Sequence, residues 1–359
     1  MQRLTIQDPV EPAQVEAVLT ALRAGQLVVL PTETVYGLAA DAHNPDAIEL
    51  LRRVKGRDSD HPFTHHLAQT ADLEALAAPP PARLRRFLER VWPGPVTVIL
   101  PTRQGPDSIG LRVPAHPLTR QVIEALGHSL LMTSVNRHGE APLNDPAEIR
   151  SAFADAAEIS LLADAGAPRL GEASAVIRLD GRRLDVLRPG IFDETELQAG
   201  AATRVLFLCT GNTCRSPLAE AMARQQTAVS LGIQADQVLA HGLVFASAGT
   251  TTLSGMPASV GSIEAAAEVG LDVREHESTQ LSSELIEHAD RIFCLSESHR
   301  AYVLHANRTA EAKTELLDPA GKDVPDPFGG DQEVYRETRT AIGNLVGKRV
   351  EELLADPSG

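Results

Sequence analysis

The sequence predicts two consecutive α/β domains. The first is a twisted mixed sheet with helices, and the second is a doubly wound, four-stranded parallel sheet. Three observations carry this. At 359 residues the chain exceeds one typical core and suits two. Short aliphatic runs of strand length alternate with amphipathic segments of helix length. A small, polar stretch from Phe192 to Ala202 marks a change of composition between the halves. With 43% hydrophobic residues the chain can bury real cores, and with 3% aromatics those cores are aliphatic. The expected division is 1–192, a linker at 193–202, and 203–359.

Taken in order, Pro12–Arg23 reads as a helix with Val15, Val18, Leu19 and Leu22 on one face and Gly25 as its stop. Leu27 to Leu30 is a short apolar strand. It runs into a hydroxyl-rich stretch, Pro31-Thr32-Glu33-Thr34-Val35-Tyr36-Gly37-Leu38, read as a loop. A polar run directly after a buried strand is where α/β folds hold ligands. Asn44-Pro45 opens a second helix, which leads into Lys55-Gly56-Arg57 and a His-rich run at 58–66. Arg83, Arg85, Arg86 and Arg90 fit a solvated helix face. Trp92 to Pro95 is a rigid turn. Further strands are expected at 96–100, 109–114, 130–136, 173–179 and 184–190.

The polar strand ends of this half hold Thr34, Lys55, Arg57, Arg112, Ser134, Asn136 and Arg188. Four cations and three hydrogen-bonding side chains suit a phosphorylated or carboxylated ligand. Five motifs in order then resemble the YrdC-type threonylcarbamoyl-AMP synthases: residues 31–38, Lys55-Gly56-Arg57, Gly110-Leu111-Arg112-Val113-Pro114, Ser134-Val135-Asn136 and Arg188-Pro189-Gly190. The resemblance implies condensation of L-threonine, bicarbonate and ATP, with magnesium, for tRNA threonylcarbamoyladenosine modification. It implies tRNA or tRNA-modification proteins as partners. By position, Thr34, His66, Arg112 and Ser174 contact threonine. Lys55, Arg57, His61, Ser108, Ser134, Asn136, Pro142 and Arg188 belong to the ATP site. His61 stands where the family often has Asn, and Pro142 offers only backbone.

In the second half, four apolar residues, Val205 to Leu208, make a buried strand ending in Cys209. Thr210-Gly211-Asn212-Thr213-Cys214 forms a turn, and Arg215-Ser216-Pro217 opens a helix, with Ser216 as the expected N-cap. Such a turn aims backbone N–H groups and the positive end of a helix dipole at one point, an anion cradle suited to phosphate. The same field favours a nucleophilic thiolate at Cys209. Arg215 can return to grip two phosphate oxygens, and the Ser216 hydroxyl can bond the thiolate. Strands are expected at 243–245 and 291–295, a helix at 257–269, and a terminal helix at 333–354.

The run Leu208 to Ser216 resembles the signature of the low-molecular-weight protein-tyrosine-phosphatase family, and the match runs from about Thr203 to the C-terminus. That resemblance implies a second element, met by Asp326-Pro327-Phe328, with Asp326 as proton donor and Asp323 as a nearby backup. It implies attack by thiolate and a phosphocysteine intermediate, with no cofactor. Thr213, with Phe328, resembles the bacterial protein-arginine phosphatases. Phe328 and Tyr335 are the aromatics nearest the acid loop. Cys214 can form a reversible disulfide with Cys209 or simply pack. Only Cys294 remains, so the two-cysteine relay of arsenate reductases is not available.

The formal net charge of −15 disfavours non-specific nucleic-acid binding. Three cysteines make no disulfide framework. No apolar signal core opens the chain, and no run is long enough to span a membrane, so the expected place is the cytoplasm. The sequence therefore points to a bifunctional enzyme, a synthase joined to a Cys-dependent protein phosphatase acting on phosphoarginine or phosphotyrosine. The alternative is that the first half is a non-catalytic RNA- or nucleotide-binding module, double-stranded RNA included.

Overall fold

Leu27–Leu30 is apolar at all four positions and buried at all four, as a strand covered on both faces must be. Val28 and Leu30 face a cluster with Val18, Leu19 and Leu22 of the helix Pro12–Arg23. Leu27 and Val29 face the opposite cluster, with Ala47 and Leu51 of the helix Pro45–Lys55. The period of two along the strand thus builds a three-layer α/β arrangement. The computed structural model describes residues 1–56, 62–103, 107–137 and 139–356, and the chain divides into two units, Met1–Gly200 and Ala201–Gly359.

The strands of the first unit are β1 Gln2–Thr5, β2 Leu27–Leu30, β3 Gly37–Asp41, β4 Thr64–His66, β5 Val96–Pro101, β6 Ser108–Arg112, β7 Leu130–Ser134, β8 Ile159–Asp164, β9 Ala175–Asp180 and β10 Arg183–Arg188. Their order is β1-β8-β2-β3-β7-β4-β6-β5-β9-β10. The sheet is mixed: β2 runs parallel to β8 and antiparallel to β3, while β4 runs parallel to β6 and antiparallel to β7. Helix ends follow their sequence signals. Asn44 accepts from the N–H groups of Asp46 and Ala47, and Gly56 closes the helix with φ +64°.

Three expectations need correction here. The run 31–38 is not all loop: Gly37 and Leu38 begin β3, which folds back on β2 through a turn held by the Thr32 hydroxyl. Arg83 is not on a solvated face. It is 1% exposed and donates to Arg182 O at 2.6 Å. The stretch expected as a linker is helical over Glu194–Gly200, with Leu197 buried.

The second unit has strands β11 Thr203–Cys209, β12 Leu243–Gly249, β13 Arg291–Cys294 and β14 Thr314–Leu316, in the order β12-β11-β13-β14 and all parallel. Val205, Phe207 and Cys209 face one cluster, with Leu218, Met222 and Ile342. Leu206 and Leu208 face the other, with Ile286 and Val303. The alternation places Cys209 at the carboxyl end of an inner strand.

Candidate active sites

In the first unit, a cleft of about 230 Å³ opens among the strand ends and is lined by Thr32, His66, Ser108, Arg112, Ser134, Ser174 and Arg188, among others. Arg112, 4% exposed at the end of β6, is held on three sides. It donates through Nη2 to Glu33 Oε1 at 2.6 Å and Thr34 Oγ1 at 2.8 Å, and through Nε to Gly94 O at 3.2 Å. The other Glu33 oxygen accepts from Ala115 N at 2.8 Å. Burying these two charges together is tolerable because each is paired and hydrogen-bonded. Arg188 reaches the same cleft, donating from Nε to Ser174 O at 2.8 Å, and Thr97 Oγ1 lies 2.9 Å from Ser174 Oγ. Burial, and secondly Arg112, push the Arg188 pKa down. Two cations facing one space favour an anion between them. His66 is held neutral, its pKa pushed down to about 3 by burial and then by Arg112. Its Nδ1 contacts Thr64 O at 3.2 Å; a carbonyl only accepts, so Nδ1 carries the proton and Nε2 is left as acceptor.

Other expected residues stand behind the cleft. Lys55 is 3% exposed and donates to Ser134 O at 2.6 Å, Asn136 O at 2.9 Å and Asn136 Oδ1 at 2.6 Å. Asn136 Nδ2 donates to Arg137 O and Glu140 O at 2.8 and 2.7 Å. The pair therefore staples the end of β7 and presents Ser134 to the cleft. Thr34 is fully buried and orients Arg112, and Pro142 is half-buried away from the cleft lining. Arg57 and His61 lie outside the described residues. Glu33, Thr32 and Thr97 are site residues that sequence reasoning missed. The signal for the first two was the polar run 31–38 itself.

In the second unit, Asn212 bends the loop with φ +52°, a left-handed conformation unusual for a residue with a Cβ. Five contacts hold it there. Its N–H donates to Cys209 Sγ at 3.2 Å, and Nδ2 donates to Ser216 Oγ at 2.8 Å and Ser247 Oγ at 2.9 Å. Oδ1 accepts from Thr279 N at 2.7 Å, and its carbonyl meets His276 Nε2 at 2.7 Å. Since Ser216 Oγ accepts from the amide, its own proton is free to go to Cys209 Sγ, 3.0 Å away. The sulfur thus has two hydrogen-bond donors, Asn212 N–H and the Ser216 hydroxyl. Gly249 is required beneath the loop: a Cβ there would lie 2.7 Å from Thr210 O.

Ser216 is not the N-cap. The helix runs Arg215–Leu231 with Cys214 before it, and the serine hydroxyl serves the sulfur instead. Arg215 is buried; Nη2 donates to Asp326 Oδ2 at 2.6 Å and Nη1 to Val324 O at 3.2 Å, while its Nε has no partner among the described residues. Asp323 is engaged elsewhere, its Oδ1 accepting from Glu297 N at 2.7 Å. Phe328 is 79% exposed at the acid loop, whereas Tyr335 is buried behind the phosphate loop, its Oη 3.7 Å from Cys214 Sγ. Cys214 packs with Tyr335 and Ala265. Cys294 is fully buried, and burial pushes its thiol up to about 12. Thr213 is part-exposed, and a Cβ on Gly211 would meet its Oγ1 at 3.4 Å. No group of three or more His, Cys, Asp or Glu among the described residues could hold a metal, and no described helix is long and apolar enough to cross a membrane.

Residues 20–190 match the family model of Sua5, YciO and YrdC, described as telomere recombination. Residues 204–358 match the model described as low molecular weight phosphotyrosine protein phosphatase. The first half is 33% identical over 205 residues to a threonylcarbamoyl-AMP synthase of Bacillus subtilis, covering 55% of this chain and 58% of that protein. It is 36% identical over 140 residues to the threonylcarbamoyl-AMP synthase of Nitrosococcus oceani, covering 37% of this chain and 76% of that one. The chain thus spans under three fifths of the Bacillus relative's length. A solved Sua5 variant of Pyrococcus abyssi superposes with a TM-score of 0.51 at 28% identity, covering 58% of this chain and 71% of that one. An arginine phosphatase structure from Geobacillus stearothermophilus is 32% identical, with 42% and 92% covered and a TM-score of 0.37.

Proposed function

Since the chain belongs to the Sua5/YrdC-type threonylcarbamoyl-AMP synthase family in its first unit and carries a low molecular weight phosphatase domain in its second, we propose a bifunctional enzyme. The first unit condenses L-threonine, bicarbonate and ATP to threonylcarbamoyl-AMP, pyrophosphate and water, for modification of tRNA. The observation that supports it is the Arg112–Arg188 cleft, where two cations converge with hydroxyl groups on all sides. Arg112, oriented by Glu33 and Thr34, takes the threonine carboxylate, and neutral His66 accepts a hydrogen bond. Ser134, Ser108 and Arg188 face ATP. Magnesium enters on the ATP phosphates, which supply most of its ligands.

The second unit hydrolyses a protein phosphomonoester or phosphoramidate. The observation that supports it is Cys209 with two hydrogen-bond donors, beside a buried Arg215 with an unpartnered Nε. The thiolate attacks phosphorus in line, the bond to the leaving group breaks, and Asp326 gives that group its proton. Water then attacks the phosphocysteine, gives its proton to Asp326, and phosphate leaves with Cys209 restored as thiolate. Arg215 and the loop amides stabilise the transferred group throughout. The hydroxyl of Thr213 favours a phosphoguanidinium, a flat hydrogen-bonding leaving group, over phosphotyrosine. Two assays on the intact chain test the proposal: pyrophosphate release dependent on all three substrates, and phosphate release from phosphoarginyl or phosphotyrosyl peptides.

A further inference from the structure

His299 lies on the helix Glu297–Ala306 and is 3% exposed. Its Nε2 is 2.9 Å from Oγ1 of Thr210, the loop residue directly after Cys209. Its Nδ1 is 2.8 Å from Ser296 Oγ, which is 2.8 Å from the hydroxyl of exposed Ser298. Four groups therefore form one hydrogen-bonded chain from the surface to the phosphate loop. The start of this helix also meets the acid loop. Glu297 N donates to Asp323 Oδ1, and Val324 N donates to Leu295 O at 2.8 Å.

The loop is thus held from two sides. Ser247, Thr279 and His276 fix Asn212 on one. On the other, Thr210 has Thr251 N on its carbonyl at 3.0 Å and His299 on its hydroxyl. Burial, then the Arg215 guanidinium, push the His299 pKa down to about 4, while Asp323 and Asp326 pull weakly the other way. A neutral imidazole has one donor and one acceptor, and here both nitrogens are engaged. With both in use, the ring is placed to hold Thr210 and not to exchange protons with a substrate.

We propose that His299 is a positioning residue for phosphoryl transfer, fixing Thr210 and through it the amides that face the transferred group. The inference rests on the phosphatase reading and deepens it. The test uses the full chain with p-nitrophenyl phosphate. His299→Phe keeps the volume and removes both hydrogen bonds. His299→Gln returns an amide near the position of Nε2. Thr210→Val removes only the hydroxyl. His299→Phe is expected to lower kcat about tenfold with KM nearly unchanged. His299→Gln restores most of kcat. Combining His299→Phe with Thr210→Val costs no more than the worse single change. Equal kcat in wild type and His299→Phe overturns the inference, as do multiplicative losses in the double variant. A wild-type chain that turns over no aryl phosphate overturns the phosphatase reading itself, and is told apart by that control.

Discussion

Arg215 and Asp326 are bonded to each other across the phosphate loop, Nη2 to Oδ2 at 2.6 Å, and the Asp326 side chain is about half exposed. In the proposed reaction, the clamp for phosphate and the acid for the leaving group are therefore partners before a substrate arrives. On that mechanism a phosphate group takes the guanidinium, which frees the carboxyl for proton transfer.

Removing the acid should act on the chemical step. Asp326→Ala is expected to lower kcat about a hundredfold, the usual scale for a general acid. KM should not rise, because Arg215 loses its competitor. The loss should be larger for phenyl phosphate than for p-nitrophenyl phosphate, whose leaving group needs less help. Equal losses for the two would contradict the role of Asp326.

Lys55 is a staple by its contacts, and a staple should show in stability. Lys55→Met leaves Ser134 O, Asn136 O and Asn136 Oδ1 without that donor. A loss of about 3 kcal/mol is expected in urea unfolding of the first unit. Arg188→Met, at the exposed edge of the cleft, should change stability by less than about 0.5 kcal/mol while raising the KM for ATP. Unchanged stability in Lys55→Met would show that the buried ammonium serves another purpose.

The neutral histidines predict acid sensitivity. The folded pKa of His66, about 3, lies below its ordinary value of 6.5, so the unfolded chain takes the proton first. Its contribution is complete above pH 6.5 and is lost as the pH falls from there toward 3. His65, pushed down to about 4 by burial, behaves in the same sense. Between pH 7 and pH 5 each should remove roughly 2 kcal/mol from the first unit. Urea midpoints at the two pH values measure this, and His66→Gln should flatten the slope. A flat wild-type profile would contradict it.

In the proposed phosphatase, specificity turns on Thr213. Phosphoarginine peptides should show a higher kcat/KM than phosphotyrosine peptides, and Thr213→Ile should shift the ratio toward tyrosine. Equal values in wild type would return the domain to a general tyrosine phosphatase.

Much of the fold was legible because its central strands are unmistakable. The runs 27–30 and 205–208 are continuously apolar, and each is buried on both faces. β4 was not legible: Thr-His-His has no strand pattern, and pairing with β6 and β7 alone makes it one. β1 is four mostly exposed residues, and β14 is three. At the sites, residue types were legible and roles were less so. Cys209 meets Ser216 and Arg215 meets Asp326; the spacing implied the loop, and Asp326 came from the family resemblance alone. Whether a cation faces ligand or scaffold depends on distant carbonyls, so Lys55 read as an ATP-site cation and Arg83 as a solvated charge until the fold surrounded them. Tyr335 is near the acid loop in sequence, yet the fold buries it against Cys214.

The most direct measurement is a cross-over of two single substitutions in the intact chain, each assayed for both activities. Cys209→Ser should abolish phosphate release from phosphopeptides and leave pyrophosphate release from threonine, bicarbonate and ATP at the wild-type rate. Arg112→Ala should do the reverse. If both substitutions silence the same activity, or pyrophosphate release is absent from the wild-type chain, the chain is not a two-enzyme fusion.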